Sequence, residues 1–286
     1  LLVEKESAYG GTTAKSGGVA WIPGNHRQAA MGVIDSAEEG FRYLQGLIGD
    51  TVSEPRVRAY AERAAEMLQF MMQHSHVDYT PLPTYMDYYE QIPGYKGGGR
   101  SMDPGAFNVR RLGAEAANMR NDHYAILPFN VTVPEGKRLG DMNFGSYLLG
   151  IGLLLRYLLD IPARLRGKLD HRATLGPALV ARLRRSLLDR DIPLWLNAPM
   201  RELLVEDGRV MGAVIEREGV AVKVRAKRGV LLATGGFARN LQLRQQFQQA
   251  PVSADWTGSA SGSTGDAIAM GQSVGAALGF MGSAWW

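Results

Sequence analysis

The 286-residue chain contains no cysteine. That removes disulfides, thiolate nucleophiles and cysteine-ligated metals, and it leaves the redox compartment open. Histidine is scarce as well, and the pair in His74-Ser75-His76 lacks a third ligand, so no metal site is expected. No apolar run reaches the roughly 20 residues that a membrane-spanning helix needs. The longest, Tyr147 to Leu159, is interrupted by Arg156. It reads as a core or amphipathic helix; the other reading is a patch that touches a membrane or admits an apolar substrate. Lys and Arg number 32 against 28 Asp and Glu, yet the arginines are interspersed and form no basic tail, which argues against a nucleic-acid partner. No signal peptide is visible, so the expected location is cytoplasmic, with membrane association as the alternative. A Gly-x-Gly-x-x-Gly turn is absent too. With 45% hydrophobic residues, the chain can bury the core of one large domain or two small ones.

What is present begins at residue 1. Leu1 to Val3 reads as the tail of a buried strand, and Glu4 sits at its carboxyl end. A loop with Gly10, Gly11, Gly17 and Gly18 follows. In a dinucleotide-binding unit, an acidic residue at such a strand end accepts hydrogen bonds from ribose hydroxyls, about 20 residues after a glycine turn. Here that turn would lie upstream, so the chain reads as a fragment that starts in mid-strand. Glycines let backbone N–H groups approach a diphosphate, and Thr12, Thr13 and Ser16 add hydroxyl donors.

Further along, residues 27–48 read as helix, and a second helix follows Ser53-Glu54-Pro55 with Tyr60, Ala64, Met67, Leu68 and Met71 on one face. Residues 79–111 are rich in Tyr, Gly and Pro without periodic burial, which predicts a long functional loop. Tyr85, Tyr88, Tyr89 and Tyr95 there offer apolar faces with phenol hydroxyls that can donate or accept protons. A helix from Gly176 to Arg190 is expected to bury Leu179, Leu183 and Leu187 and to leave Arg182, Arg184, Arg185 and Arg190 solvated. The period then changes. Pro193 to Leu196 reads as a strand, and Asp207-Gly208 and Glu218-Gly219 read as turns of an antiparallel meander. Gly229 to Ala233 is expected to be a buried parallel strand. It ends in Ala233-Thr234-Gly235-Gly236-Phe237, where glycines let backbone approach a ligand at a strand's carboxyl end. In the last segment, Ser263 or Thr264 is the expected N-cap of a helix that has Asp266 in its first turn. Gly271-Gln272-Ser273-Val274-Gly275 fits the Gly-x-Ser-x-Gly hydrolase pattern in the wrong context, with no His or Asp partner, and a serine hydrolase is rejected.

Glu4-Lys5, Gly10-Gly11-Thr12-Thr13-Ala14-Lys15-Ser16-Gly17-Gly18, Trp21-Ile22-Pro23, Gly235-Gly236-Phe237 with Asn240, and Thr264-Gly265-Asp266 follow one another in a family order. They resemble the flavoproteins of the fumarate reductase/succinate dehydrogenase superfamily, and the Thr-Thr-Ala-x-Ser-Gly-Gly wording is most similar to its 3-ketosteroid Δ1-dehydrogenase branch. The resemblance implies an α/β, Rossmann-like FAD-binding domain with a parallel sheet, a helical insertion over about 50–170 and a meander over about 200–228. It implies FAD as cofactor, held by Glu4, Lys5, Gly11, Thr12, Thr13, Ser16, Gly17, Gly18, the backbone near Met200, Ala233, Thr234, Gly235, Gly236, Asn240, Thr264, Gly265 and Asp266. It implies removal of hydrogens from adjacent carbons beside a ketone in an apolar, steroid-like substrate, with hydride passing to the flavin N5 and an electron acceptor that the sequence does not specify. Tyr88, after Asp87, matches a catalytic tyrosine, although Tyr89-Glu90-Gln91 departs from the family's proline before the acid and Ala267 replaces a second glycine. A cap or catalytic domain is expected after residue 286. A fumarate-reductase-type activity on a small carboxylic acid and an inactive FAD-domain fragment are the alternatives. The tyrosine loop speaks against a polar dicarboxylate, which needs His and Arg clamps.

Overall fold

The computed structural model describes residues 1–120, 129–165 and 171–284. The chain forms two compact units, one of residues 1–15, 117–122 and 190–286, the other of residues 16–116 and 123–189. Helices combine with parallel and antiparallel pairing, so the fold is α/β as the sequence predicts.

In the first unit, Leu2–Val3 pairs in parallel with Leu194–Trp195. The strand expected at 193–196 is therefore present, and it continues the register through Glu4 N–H donating to Trp195 O (2.8 Å). The antiparallel meander is built from Met200–Glu206, Arg209–Arg217 and Val220–Arg225. Its two connections lie at Asp207-Gly208 and Glu218-Gly219, with φ of 49° and 72°, and of 53° and 78°. Such left-handed pairs match the right-handed twist of the strands they join. Ala198, Ala213 and Ile215 form the buried core here, with Val3, Trp195, Met200 and Val224 against it.

Two expectations fail in this unit. Residues 229–233 form no ladder, and Leu231 is 90% exposed. An apolar run becomes a buried strand only when a neighbouring strand takes its N–H and C=O groups, and among the described residues none does. The helix Asp266–Ser273 is also not capped by Ser263 or Thr264: its N-cap is Gly265, which makes no side-chain cap bond. The Thr264 hydroxyl is engaged instead by Lys5 and Asp266.

In the second unit, the core joins Ile22, Ala64, Leu68, Val77, Tyr79 and Met102. The helix Glu54–His74 runs as expected with Pro55 in its first turn, but its buried residues are Val57, Ala61, Ala64 and Leu68, while Tyr60 and Met67 are about half exposed. Of the expected 27–48 helix only Ala37–Ile48 forms. Ser36 caps it by accepting from Glu39 N–H (3.2 Å), and Gly32, left-handed at φ 71°, ends a short turn before it. The long 79–111 stretch is irregular apart from Thr80–Pro81, Ser101–Asp103, Phe107–Asn108 and the start of the 3-10 helical segment Val109–Asn118.

The arginine-rich helix, Leu175–Leu188, is rotated from its expected orientation. It buries Ala178, Val180, Ala181, Arg184 and Ser186, whereas Leu183 is exposed. The small alanines let it pack closely, and the arginines are brought in with partners. Arg182 donates to the carbonyls of Pro104, His76 and Ala106, and Arg184 pairs with Glu115 at 2.9 Å. A buried guanidinium is tolerated when its donors are filled in this way.

Candidate functional site

A cavity of about 930 Å³ opens in the first unit. One wall is the strand Leu2–Val3 with Glu4, Lys5 and Glu6 at its end, followed by Gly10 to Thr13. The 229–235 stretch, which has no regular structure, also lines it, and Met200, Ile215 and Val224 of the meander form an apolar side. Ser263 and Asp266 line it from the last segment. Glu4 accepts the N–H of Glu6 on Oε1 (2.9 Å), an arrangement that fixes the carboxylate at the strand end. Gly10 and Gly11 have φ of 120° and 50°.

The chain's ends are laced together around this cavity. Lys5 Nζ donates to Thr264 Oγ1 at 2.5 Å and to Asp266 Oδ2 at 2.8 Å. Thr12 Oγ1 lies 3.2 Å from Ser263 Oγ and accepts the N–H of Ala260 at 3.1 Å. Gly265 N–H donates to Gly236 O (3.0 Å), and Asn240 Nδ2 donates to Thr264 O (3.0 Å) while its Oδ1 accepts from Leu243 N–H. Burial alone would raise the Asp266 carboxyl, but hydrogen bonds from Lys5 and Thr264 and the Lys5 charge hold it below the usual carboxylate range. Sequence segments up to 261 residues apart thus meet at one cleft.

Of the residues singled out from sequence, Glu4, Lys5, Gly11, Thr12, Thr13, Met200, Ala233, Thr234, Gly235 and Asp266 line the cavity. Gly236, Asn240, Thr264 and Gly265 stand behind it and hold the last segment through the bonds just described. Ser16, Gly17 and Gly18 belong to the second unit. There Gly18 meets the start of the Leu175–Leu188 helix: a β-carbon on it would lie 2.7 Å from Gly176 N. Gly176 N–H donates to Ser16 O, and the Tyr79 hydroxyl donates to Gly18 O (2.9 Å). Sequence reasoning missed Arg120 and Glu6. Arg120 lines the cleft and pairs with Glu6 at 2.6 Å, and Glu6 also accepts from the Ser261 hydroxyl. Isolated in sequence, Arg120 carried no local signal.

The donor set fits a dinucleotide. An apolar side can take a base, a carboxylate at a strand end can accept from ribose hydroxyls, and glycine backbone and threonine hydroxyls can approach a diphosphate, while Lys5 and Arg120 neutralise the cleft's own Asp266 and Glu6.

In the second unit, Tyr88 projects from the irregular loop and is 70% exposed. Desolvation, with Tyr85 beside it, pushes its phenol up, so it is protonated at neutral pH. The residues on both sides of it are pinned. Asp87, buried, accepts from Trp21 Nε1 (2.7 Å), Lys96 N–H (3.0 Å) and Arg100 (2.8 Å); Tyr89 N–H donates to the Tyr43 hydroxyl (3.1 Å). Arg100 also grips Asp35 with two nitrogens, at 2.7 and 2.9 Å. His76 of the His-Ser-His pair contacts Asp189, and no group of three metal-ligating side chains occurs among the described residues. Ser273 ends its helix and donates to Met270 O, which leaves the hydrolase-like pattern without an elbow.

The 3-oxosteroid 1-dehydrogenase of Mycobacterium tuberculosis is 38% identical over the whole chain, which spans 51% of that protein. The crystal structure of 3-ketosteroid Δ1-dehydrogenase from Sterolibacterium denitrificans, in complex with 1,4-androstadiene-3,17-dione, superposes with a TM-score of 0.94 at 40% identity, covering all of this chain and 52% of that one. A flavocytochrome c3 fumarate reductase shares the fold, with a TM-score of 0.59 at 20% identity over 98% of this chain and 36% of that one. The chain therefore spans about half the length of the relatives it matches. The family model described as FAD binding domain matches residues 1–286, and with the cleft's donor set already in place, the chain belongs to that FAD-binding domain family.

Proposed function

We propose that this chain is the FAD-binding part of a flavin-dependent dehydrogenase that removes hydrogens from adjacent carbons beside a ketone, in an apolar, steroid-like substrate. The observation that carries the reading is the cleft in which Glu4, Lys5, Thr12 and Asp266 converge, together with relatives of 38–40% identity whose names state that activity. Bound FAD supplies the hydride acceptor.

The chain's own residues do the holding. Glu4 takes the adenosine ribose and the backbone near Met200 takes the adenine edge. Gly11, Thr12 and Thr13, followed by Ser16, Gly17 and Gly18, take the diphosphate and the approach to the flavin. Ala233 to Gly236, with Asn240 behind them, and Thr264 to Asp266 close over the cofactor. Tyr88, protonated at neutral pH, donates a hydrogen bond or proton at the substrate ketone, which acidifies the neighbouring C–H. The domain plan expected from sequence, a helical insertion over about 50–170 and a meander over about 200–228 with further domains beyond this chain, belongs to the same reading. So does a cytoplasmic location. The exposed tyrosines of the 79–111 loop suit an apolar ketone better than a dicarboxylate, which sets the fumarate-type alternative behind.

Two measurements test it. Titration of the purified chain with FAD, followed by flavin fluorescence, reads binding, and failure to bind would make this an inactive fragment. Activity is read in a hybrid in which the chain replaces the matching half of the Mycobacterium tuberculosis relative. Bleaching of its flavin by a 3-ketosteroid, slowed about 100-fold or more by Tyr88→Phe, is the expected result. A hybrid that binds FAD but leaves steroids untouched would refute the substrate.

A further inference from the structure

The Phe144–Leu159 helix of the second unit presents its apolar side to solvent. Ser146 and Leu153 are its buried residues. On the opposite side Phe144, Tyr147, Leu148, Ile151, Leu155 and Leu158 are each more than half exposed. These positions fall three and four apart, so they form one continuous stripe. Ile161 and Leu165 carry it onto the next helix, Ile161–Leu165. A stripe of this size is far from the scattered apolar residues of an ordinary protein surface.

Its chemistry narrows what covers it. Across the stripe the only polar groups are the Tyr147 hydroxyl and, on the flank, Arg156. A protein interface carries about one hydrogen bond per 100–200 Å², and this face offers almost nothing to make them with; lipid chains require none. The surrounding charge points the same way. Among the described residues, Lys137 and Arg138, exposed on the adjoining Val133–Gly140 helix, and Arg156 stand against one exposed acid, Asp141. The nearby acids are already engaged: Glu135 pairs with Arg172 at 2.6 Å, and Asp160 pairs with Arg110 at 2.7 Å and contacts His171 Nδ1 at 2.7 Å. The 16-residue helix is about 24 Å long at 1.5 Å per residue, short of the bilayer core of roughly 30 Å. No helix among the described residues is long and apolar enough to cross a membrane. The Asn143–Ser146 capping box satisfies the helix's first turn, so the stripe can enter an apolar phase without stranding its leading donors.

We propose that this helix lies flat on a lipid surface bearing anionic headgroups, with the stripe bedded among the acyl chains and Lys137, Arg138 and Arg156 at the headgroup level. This surface stands apart from the dehydrogenase reading, although an apolar substrate would be drawn from the same phase.

Co-sedimentation with phosphatidylcholine vesicles, with and without phosphatidylglycerol, tests it on both the chain and the hybrid. Both proteins should bind the mixed vesicles. Leu148→Glu with Leu155→Glu, at exposed positions that leave the circular dichroism spectrum unchanged, should lower the partition coefficient about 100-fold, and Lys137→Glu with Arg138→Glu about tenfold in a salt-sensitive manner. Three results would overturn the proposal: no sedimentation with either vesicle; a dimer by light scattering that the leucine substitutions dissolve, which makes the stripe an interface between copies; or vesicle binding by the chain alone and not by the hybrid, which means that the remainder of the protein covers it.

Discussion

Arg100, Asp35 and Asp87 have side chains between 0% and 2% exposed, one guanidinium shared between two carboxylates. Burying three charges is costly, and they are retained here with every nearby donor turned toward them, including Trp21 Nε1, Gly24 N–H and Gln28 Nε2. Removing one partner leaves the others buried and uncompensated. Asp87→Ala should therefore lower stability by about 3–5 kcal/mol, whereas Glu66→Ala, at an exposed pair with Arg63, should stay within about 0.5 kcal/mol; urea unfolding measures both. Burial alone would raise the Asp35 carboxyl, but Arg100 and the Gly24 N–H hold it below the usual range, so its contribution is present above the unfolded-state pKa and is lost as pH falls through the folded one. Asp103 behaves in the opposite sense. Desolvation, with the Glu135 charge nearby, pushes its carboxyl up, and Oδ1 has no hydrogen bond. The folded state prefers Asp103 protonated, so stability falls as pH rises from the unfolded carboxylate pKa of about 4 and levels off above the folded value. Asp103→Asn should remove that slope, read as the change in melting temperature between acid and neutral pH.

At the scale of elements, local chemistry was legible and orientation was not. The meander could be read because Asp207-Gly208 and Glu218-Gly219 state their own backbone geometry. The strand at 193–196 was legible from its apolar run, and the expected one at 229–233 failed although its pattern was the stronger, because a ladder depends on a neighbour that no local pattern names. The arginine-rich helix misled for a related reason. Leucine periodicity nominated one face, while Ala178 and Ala181 permitted a closer approach on another and carbonyls far away in sequence satisfied Arg182. Gly18 shows how one glycine can carry two readings. From sequence it belongs to a diphosphate loop; in the structure it sits at φ 65°, against the backbone of Leu175 and Gly176. Gly18→Ala combines left-handed strain of about 1–2 kcal/mol with overpacking of about 1–3 kcal/mol, and urea unfolding should show a loss of about 2–5 kcal/mol. Gly17→Ala, whose nearest contact would be Val19 at 4.0 Å, should leave stability within about 1 kcal/mol, so any change it makes in FAD affinity reports on the cofactor alone.

The cleft lies in the first unit but depends on the whole length of the sequence, because its lining comes from segments far apart in the chain. Glu4 and the Thr-Gly-Asp segment were each legible as family wording, but the bond that joins them was not: Lys5 and Asp266 are 261 positions apart, and Arg120 entered from a stretch with no motif at all. Lys5 has two effects there. It ties the last segment to the first strand, and it neutralises a carboxylate that lines the cleft. Lys5→Met would leave the Asp266 carboxylate uncompensated in the cleft proposed for the anionic cofactor, and since both partners are a quarter to a third exposed the loss is discounted for solvent to about 1 kcal/mol, or roughly fivefold in FAD dissociation constant. Lys5→Arg, which keeps the charge, should recover most of it. The deficit of the methionine variant should shrink as salt screens the repulsion, whereas a deficit due only to a loosened last segment would persist at every ionic strength. FAD titrations of the three proteins in low and high salt separate these two outcomes, and equal affinity for all three would mean that Lys5 holds only the fold.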